Sequence, residues 1–222
     1  MKLLLTFDLE EFDEITSSKE ALKFNISYKG VSLLNNLLLK HDLKATFFTT
    51  AKFASTFPEL LKKLKREGNE IACHGYSHSD SYIKDLSNIK KAKEEFENLG
   101  FQVNGFRAPR FEIKKIEKLS EFGFSYDSSI HPTFVPGRYF NLSKKRDIHK
   151  IGNIIEIPPS TLPLIRAPIS WFFFKNLGLN YAKNFTKLNS LFSSYTMLLF
   201  HPWEFTELKK ANLPNSIKRI SG

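Results

Sequence analysis

Short apolar runs alternate along this chain with stretches whose apolar residues recur every three to four positions. Seven runs read as β-strands: KLLLTFD (2–8), KATFFTT (44–50), NEIACH (69–74), VNGFRAP (103–109), GFSYDSS (123–129), NIIEIP (153–158) and YTMLLFH (195–201). Helical periodicity predicts helices in GVSLLNNLLLKHD, PELLKKLKREG and LSNIKKAKEEFENLG. The last two close on Gly68 and Gly100, and a helix end in left-handed conformation favours glycine. Repeated strand-then-helix units imply a parallel sheet, and right-handed crossovers with seven strands favour closure into an α/β barrel. A doubly wound open sheet is the second reading, but the glycine-rich phosphate loop of its nucleotide-binding version is absent.

Two segments leave this rhythm. Ser128 to Ser160 holds prolines, basic residues and few periodic positions, which predicts an extended loop or hairpin over one barrel face. PISWFFFKNLGLNYAKNF reads as a core helix whose N-terminus plugs the barrel. Its aromatic cluster, Trp171 to Phe174 beside Lys175 and Lys183, admits a second reading as an interfacial membrane contact.

Composition narrows the class. With 222 residues, 41% apolar and 25% charged, the chain reads as one soluble globular domain spanning 1–222. The net charge of +10 raises nucleic acid as a partner, yet the lysines are interleaved with glutamates on helix-like faces and no nucleic-acid fingerprint appears. The N-terminal apolar run meets Asp8 too early for a signal peptide, and no run approaches the ~18–20 apolar residues of a membrane span. A cytoplasmic location is expected, or a chain from which targeting has been removed. Cys73, the sole cysteine, excludes an internal disulfide and reads as a small buried hydrophobe.

Chemistry-bearing residues fall where strands end, which is where barrel enzymes build their sites. Asp8, Glu10 and Glu11 follow the first strand, and His74 and His78 the third. Arg107 ends the fourth, Asp127 lies in the fifth and His201 ends the last. Histidines at i and i+4 share one helix face, so both imidazoles can reach one cation at about 2.0–2.1 Å. A catalytic zinc site takes three protein ligands, commonly two His and a carboxylate, and leaves one position open. The DLEE run supplies that carboxylate, Glu10 or Glu11, and a further one to serve as base. His131 and His149 are expected at the surface, and His41 as a cap near a helix end.

The segments TFDLEEF, HGYSH, FRAPRF and LLFHPWEF stand in the order and approximate spacing of the polysaccharide deacetylases, the chitin-deacetylase-like carbohydrate esterases. The chain resembles that family from Leu3 to Phe205. The resemblance implies a distorted (β/α)7 barrel, one divalent metal (zinc first, cobalt or manganese otherwise) and hydrolysis of acetyl groups, N-acetyl above all, on an oligo- or polysaccharide. GNIIEIPPSTLPL looks like members linked to capsule or exopolysaccharide synthesis. Relatives that hydrolyse cyclic ureides supply a second reading, and a silent carbohydrate- or membrane-binding module a third.

Carried over by position, Asp8 matches the catalytic base, and Arg107 the arginine that orients it. His74 and His78 match the metal-binding histidines. The usual aspartate after the base is Leu9 here, which moves the ligand to Glu10. His201 matches the general acid and Leu199 the wall of the acetyl-methyl pocket. Arg110, with Phe111 beside it, takes the place often held by tyrosine, whose main-chain N–H helps hold the oxyanion. The fourth-motif aspartate has no clear match, and Asp127 stands in for it as a catalytic residue.

Overall fold

The first strand, β1 (Lys2–Leu9), is buried along its last four residues and flanked on both edges by parallel strands. In this computed structural model, which describes residues 2–12, 20–79, 85–136, 139–168 and 171–206, the neighbours of β1 are β2 (Thr46–Thr49) and β10 (Tyr195–Phe200). The sheet continues through β3 (Glu70–Cys73), β4 (Gly105–Phe106), β5 (Tyr126–Asp127) and β9 (Ile154–Glu156). It ends at β8 (His149–Ile151), which runs antiparallel to β9. All seven expected strands are present and mutually parallel, each near its expected place.

Alternation along these strands gives the curled sheet two different faces. Phe7, Leu9, Phe47, Ile71 and Phe106 face the helices and form the main core. Those helices are α1 (Glu20–Lys40), α2 (Ala51–Thr56), α3 (Pro58–Arg66) and α4 (Leu86–Asn98). α3 begins with Pro58 at its first position and carries Lys63, Lys65 and Arg66 in its last turn, both favourable for a helix. It turns Leu61 and Leu64 to the core. In α4 the Asp85 side chain accepts from Ser87 N, while Ile89, Ala92 and Phe96 are buried. Each such apolar side chain contributes about 1.5–3 kcal/mol by leaving water. α1 starts ten residues before the expected Gly30.

The opposite face lines the barrel interior and is polar: Thr6, Asp8 and Arg107 meet there, with Phe48 and Met197. Among the described residues no ladder joins β8 to β10, so the sheet is a distorted, open-sided barrel. Side chains close the seam instead. Met197 N donates to Ser160 Oγ at 2.9 Å, and the Tyr195 hydroxyl to Pro158 O at 2.7 Å.

The irregular region folds as two hairpins. β6 (Phe134–Val135) pairs with β7 (Tyr139–Phe140), and β8 pairs with β9. The helix α5 (Trp171–Asn189) corrects the expectation of a barrel plug. It packs on the outer side of β10, where Phe174 meets Phe200 edge-on and Phe185 is buried, because the interior is already filled by the Arg107 cluster. Its Leu177 and Leu179 face solvent. The side chains of Trp171 and Phe172, and the chain from 207 to Gly222, lie outside the described residues.

Candidate active site and metal centre

Because side chains alternate along β1, Asp8 and Glu10 emerge on the same face while Leu9 is wholly buried in the core between them. That geometry lets a D-x-E pattern bring both carboxylates to one face. Glu10 Oε2 lies 3.1 Å from His74 Nε2 and 3.2 Å from His78 Nε2. One ligand atom from each of the three side chains falls within 4.8 Å of the others. His74 Nδ1 donates to Arg107 O at 2.8 Å, which fixes the tautomer and turns the Nε2 lone pair toward Glu10. Two imidazole nitrogens and a carboxylate so arranged fit a divalent cation.

The histidines do not share a helix face as expected. Residues 74–79 form an irregular turn after β3, and Gly75 at φ 74° bends the chain there. The rings still face each other, with centroids 6.0 Å apart. Glu11 shapes this turn: it accepts from His78 N at 2.9 Å, from the Ser77 hydroxyl, and from Thr50 Oγ1 at 3.0 Å. Both its oxygens are thereby engaged, which leaves Glu10 as the carboxylate of the cluster. Sequence reasoning left Glu11 as an alternative ligand and missed this bracing role.

Arg107 is fully buried and bonds Asp8 Oδ1 through Nη1 at 2.6 Å. It also donates to Ser128 Oγ at 3.0 Å and lies 3.9 Å over the Phe48 ring. Burial raises the Asp8 carboxyl, but Arg107, then His74 and His201, outweigh it and hold the group below the usual carboxylate range. His201 sits across the cluster, its Nε2 3.8 Å from Glu10 Oε1. Its Nδ1 meets Glu204 Oε1 at 2.9 Å, and its main-chain N donates to Glu204 Oε2 at 3.0 Å. Burial works against the charged ring, yet Glu204, then Glu10 and Asp8, push it up to about 9. The turn Pro202–Phe205 that carries Glu204 abuts α1 at Gly30, where a β-carbon would overlap the Pro202 carbonyl.

Asp127 is not brought to His201. Its carboxylate accepts from Ser129 Oγ at 2.6 Å and Ser129 N at 3.2 Å, and it shares a proton with Glu156. Register explains this: Asp127 pairs with Phe106 and Glu156, one position before Arg107, and so projects from the other side of the sheet. Burial, then the neighbouring Asp127, push the Glu156 carboxyl up to about 10, so it stays protonated. The carboxylate on His201 is Glu204. HPWEF signals it only in hindsight, as an acid three residues after a histidine and just past a proline.

Arg110 and Phe111 lie after Arg107 with φ of 55° and 60°, a strained pair for non-glycine residues. Phe111 packs on His131 with ring centroids 4.9 Å apart, and His131 is buried rather than at the surface as expected. His149 is half-buried in β8. Leu199 is buried on the interior side of β10, two residues before His201. Cys73 is buried as expected, and burial pushes its thiol up to about 12, unsuited to a nucleophile.

A family model described as polysaccharide deacetylase matches residues 12–123, half of the chain. The chain belongs to the polysaccharide deacetylase family. It is 30% identical over 159 residues to a peptidoglycan deacetylase of Helicobacter pylori, an overlap covering 64% of this chain and 53% of that protein. A peptidoglycan deacetylase-like protein of Gibberella zeae is 28% identical over 164 residues, covering 68% and 48%. The chain thus spans about half the length of these curated relatives of the polysaccharide deacetylase family. Among solved structures, one from Mycobacterium smegmatis assigned to the polysaccharide deacetylases superposes with a TM-score of 0.65 at 21% identity, covering 91% of this chain and 77% of that one. The PuuE allantoinase superposes at 0.63 with 17% identity, covering 99% and 82%. At these identities the likeness establishes the shared barrel fold.

Proposed function

We propose that this chain hydrolyses acetyl groups, N-acetyl above all, from a sugar polymer, using a divalent cation held by Glu10, His74 and His78. One observation carries the reading. Asp8 and His201 both adjoin that cluster, and their pKa values are pushed in opposite directions, the former down and the latter up. Such a pair divides into a base and an acid at neutral pH. The name of the Helicobacter pylori relative points to an N-acetylated cell-wall glycan as the substrate class.

Asp8, kept ionised by Arg107, takes a proton from the attacking water. His201, kept protonated by Glu204, gives the proton on Nε2 to the departing sugar amine. The main-chain N–H of Arg110 helps hold the oxyanion, and Leu199 lines the space for the acetyl methyl. A bound divalent cation supplies Lewis-acid polarisation of the acyl carbonyl and a lowered water pKa. Zinc suits the imidazole-rich donor set, with cobalt and manganese as working substitutes.

The test is acetate release from chitin oligomers and peptidoglycan after chelation, and again after restoring zinc, cobalt or manganese. Activity that vanishes on chelation and returns with metal supports the reading. Turnover of a cyclic ureide that survives chelation, with no acetate from any glycan, would replace it by cleavage of another carbon–nitrogen bond.

A further inference from the structure

The most exposed apolar side chains of the described residues include three on the β6–β7 hairpin and on the turn at 162–167 that is fastened to it. Leu164 is 92% exposed, Phe140 78% and Ile165 64%. Folding ordinarily buries such side chains, so leaving them in water forgoes about 1.5–3 kcal/mol apiece. They are also held out by a built support. The turn at 162–167 is closed by Leu162 N donating to Ala167 O and Arg166 N to Leu162 O, with positive φ at Leu164 and Arg166. Phe134 N and Thr133 Oγ1 both donate to Arg166 O, fastening this turn to the β6–β7 hairpin that carries Phe140. Arg166 Nη1 in turn donates to Lys144 O.

The surroundings of this tip are basic. Lys144, Lys145, Lys150 and Arg166 stand on the same segments, and Asp147 is the one exposed acid among the described residues of 139–168. Protruding leucine, isoleucine and phenylalanine within a basic collar match an anionic bilayer, where apolar groups enter the acyl boundary and lysines meet lipid phosphates. No helix among the described residues is long and apolar enough to cross a membrane, so the contact would be with the surface. The aromatic cluster at Trp171–Phe174 is not needed for this, since Phe173 and Phe174 are half-buried against the protein.

We infer that the tip formed by Phe140, Leu164 and Ile165, with its collar of Lys144, Lys145 and Arg166, docks this protein on anionic membrane surfaces. The hairpin of this tip touches the strained turn that follows Arg107, since the Tyr139 and Phe111 rings have centroids 6.3 Å apart. Docking there would bring that turn toward the lipid headgroups, suited to a glycan carried on or near the membrane. Only that last clause rests on the proposed function.

Vesicle co-sedimentation tests the docking apart from catalysis. The intact chain is expected to sediment with vesicles of phosphatidylglycerol and phosphatidylcholine, and far less with phosphatidylcholine alone. Replacing both Leu164→Ser and Ile165→Ser should lower the partition coefficient on the order of tenfold. Replacing Lys144→Ser and Lys145→Ser should lower it roughly fivefold per lysine, on the anionic vesicles alone. Unchanged melting temperature and acetate release show that the variants fold. A separate Leu164→Trp variant should gain blue-shifted emission on anionic vesicles beyond that of the native tryptophans. Three results would each overturn the inference: no sedimentation with anionic vesicles, equal binding by the Leu164/Ile165 variant, or a wild-type dimer that this variant splits. The last would mean that a second copy covers the tip.

Discussion

Glu204 grips His201 twice, accepting from its ring at 2.9 Å and from its main-chain N at 3.0 Å. A helical turn of four residues thereby supplies the partner, and it orients the imidazole as well as favouring its charged form. Replacing Glu204→Gln keeps one acceptor but removes the charge that raises the His201 pKa. The acid form is then lost at lower pH, so the basic limb of the kcat/KM profile should move down. Above about pH 9, where the wild-type ring itself gives up its proton, the rate should fall on the order of tenfold per pKa unit lost. Metal content should not change, because Glu204 is not a proposed ligand. A basic limb that stays in place would assign the acid role to another group.

Glu11 predicts a different separation. Replacing Glu11→Ala leaves Thr50, Ser77 and His78 N without their shared acceptor, so the turn that carries His78 loosens. Metal affinity, measured by calorimetric titration with zinc, should weaken about 10–100-fold. Replacing His74→Ala should abolish binding outright. Zinc affinity unaltered by Glu11→Ala would mean that the turn is held by other contacts.

Gly30 lies far in sequence from any catalytic residue, yet a methyl there would overlap the Pro202 carbonyl. Replacing Gly30→Ala should cost about 1–3 kcal/mol of stability by overpacking. It should also displace the turn behind His201, lowering kcat more than metal binding. A variant with wild-type kcat would show that the turn moves without carrying the ring.

The Asp127–Glu156 pair sets a pH dependence of stability. The folded chain holds the Glu156 proton to about pH 10, whereas the unfolded chain releases it in the ordinary carboxylate range, about 4.3. The contribution of this group is therefore complete in acid and drains as pH rises through that window. Replacing Glu156→Gln removes the drain, so its melting temperature should gain on wild type between about pH 5 and pH 8. A difference that stays flat or shrinks would mean that the two carboxyls do not share a proton.

Much of this was legible because parallel strands buried on both faces announce themselves as apolar runs. All seven appeared, and so did Asp8, Glu10, His74, His78, Arg107 and His201 at their ends. Legibility failed where a residue's role depends on which way a short segment turns. Asp127 sits in a turn-forming sequence, and register alone decides that it faces Glu156. The His74–His78 spacing is equally compatible with a helix and with a glycine-bent turn. α5 has a helix's periodicity, but nothing in that pattern tells whether its apolar side meets the barrel's interior or its wall.

Arg107 joins two parts of the site through one residue: its carbonyl receives His74 Nδ1 while its guanidinium bonds Asp8. A shift of this backbone that releases the imidazole also withdraws the counter-charge from the carboxylate. On the proposed roles, the orientation of one ligand and the ionisation of the base therefore share a single support. Damage near Arg107 is expected to weaken both at once, where damage at Glu11 or Glu204 touches one alone.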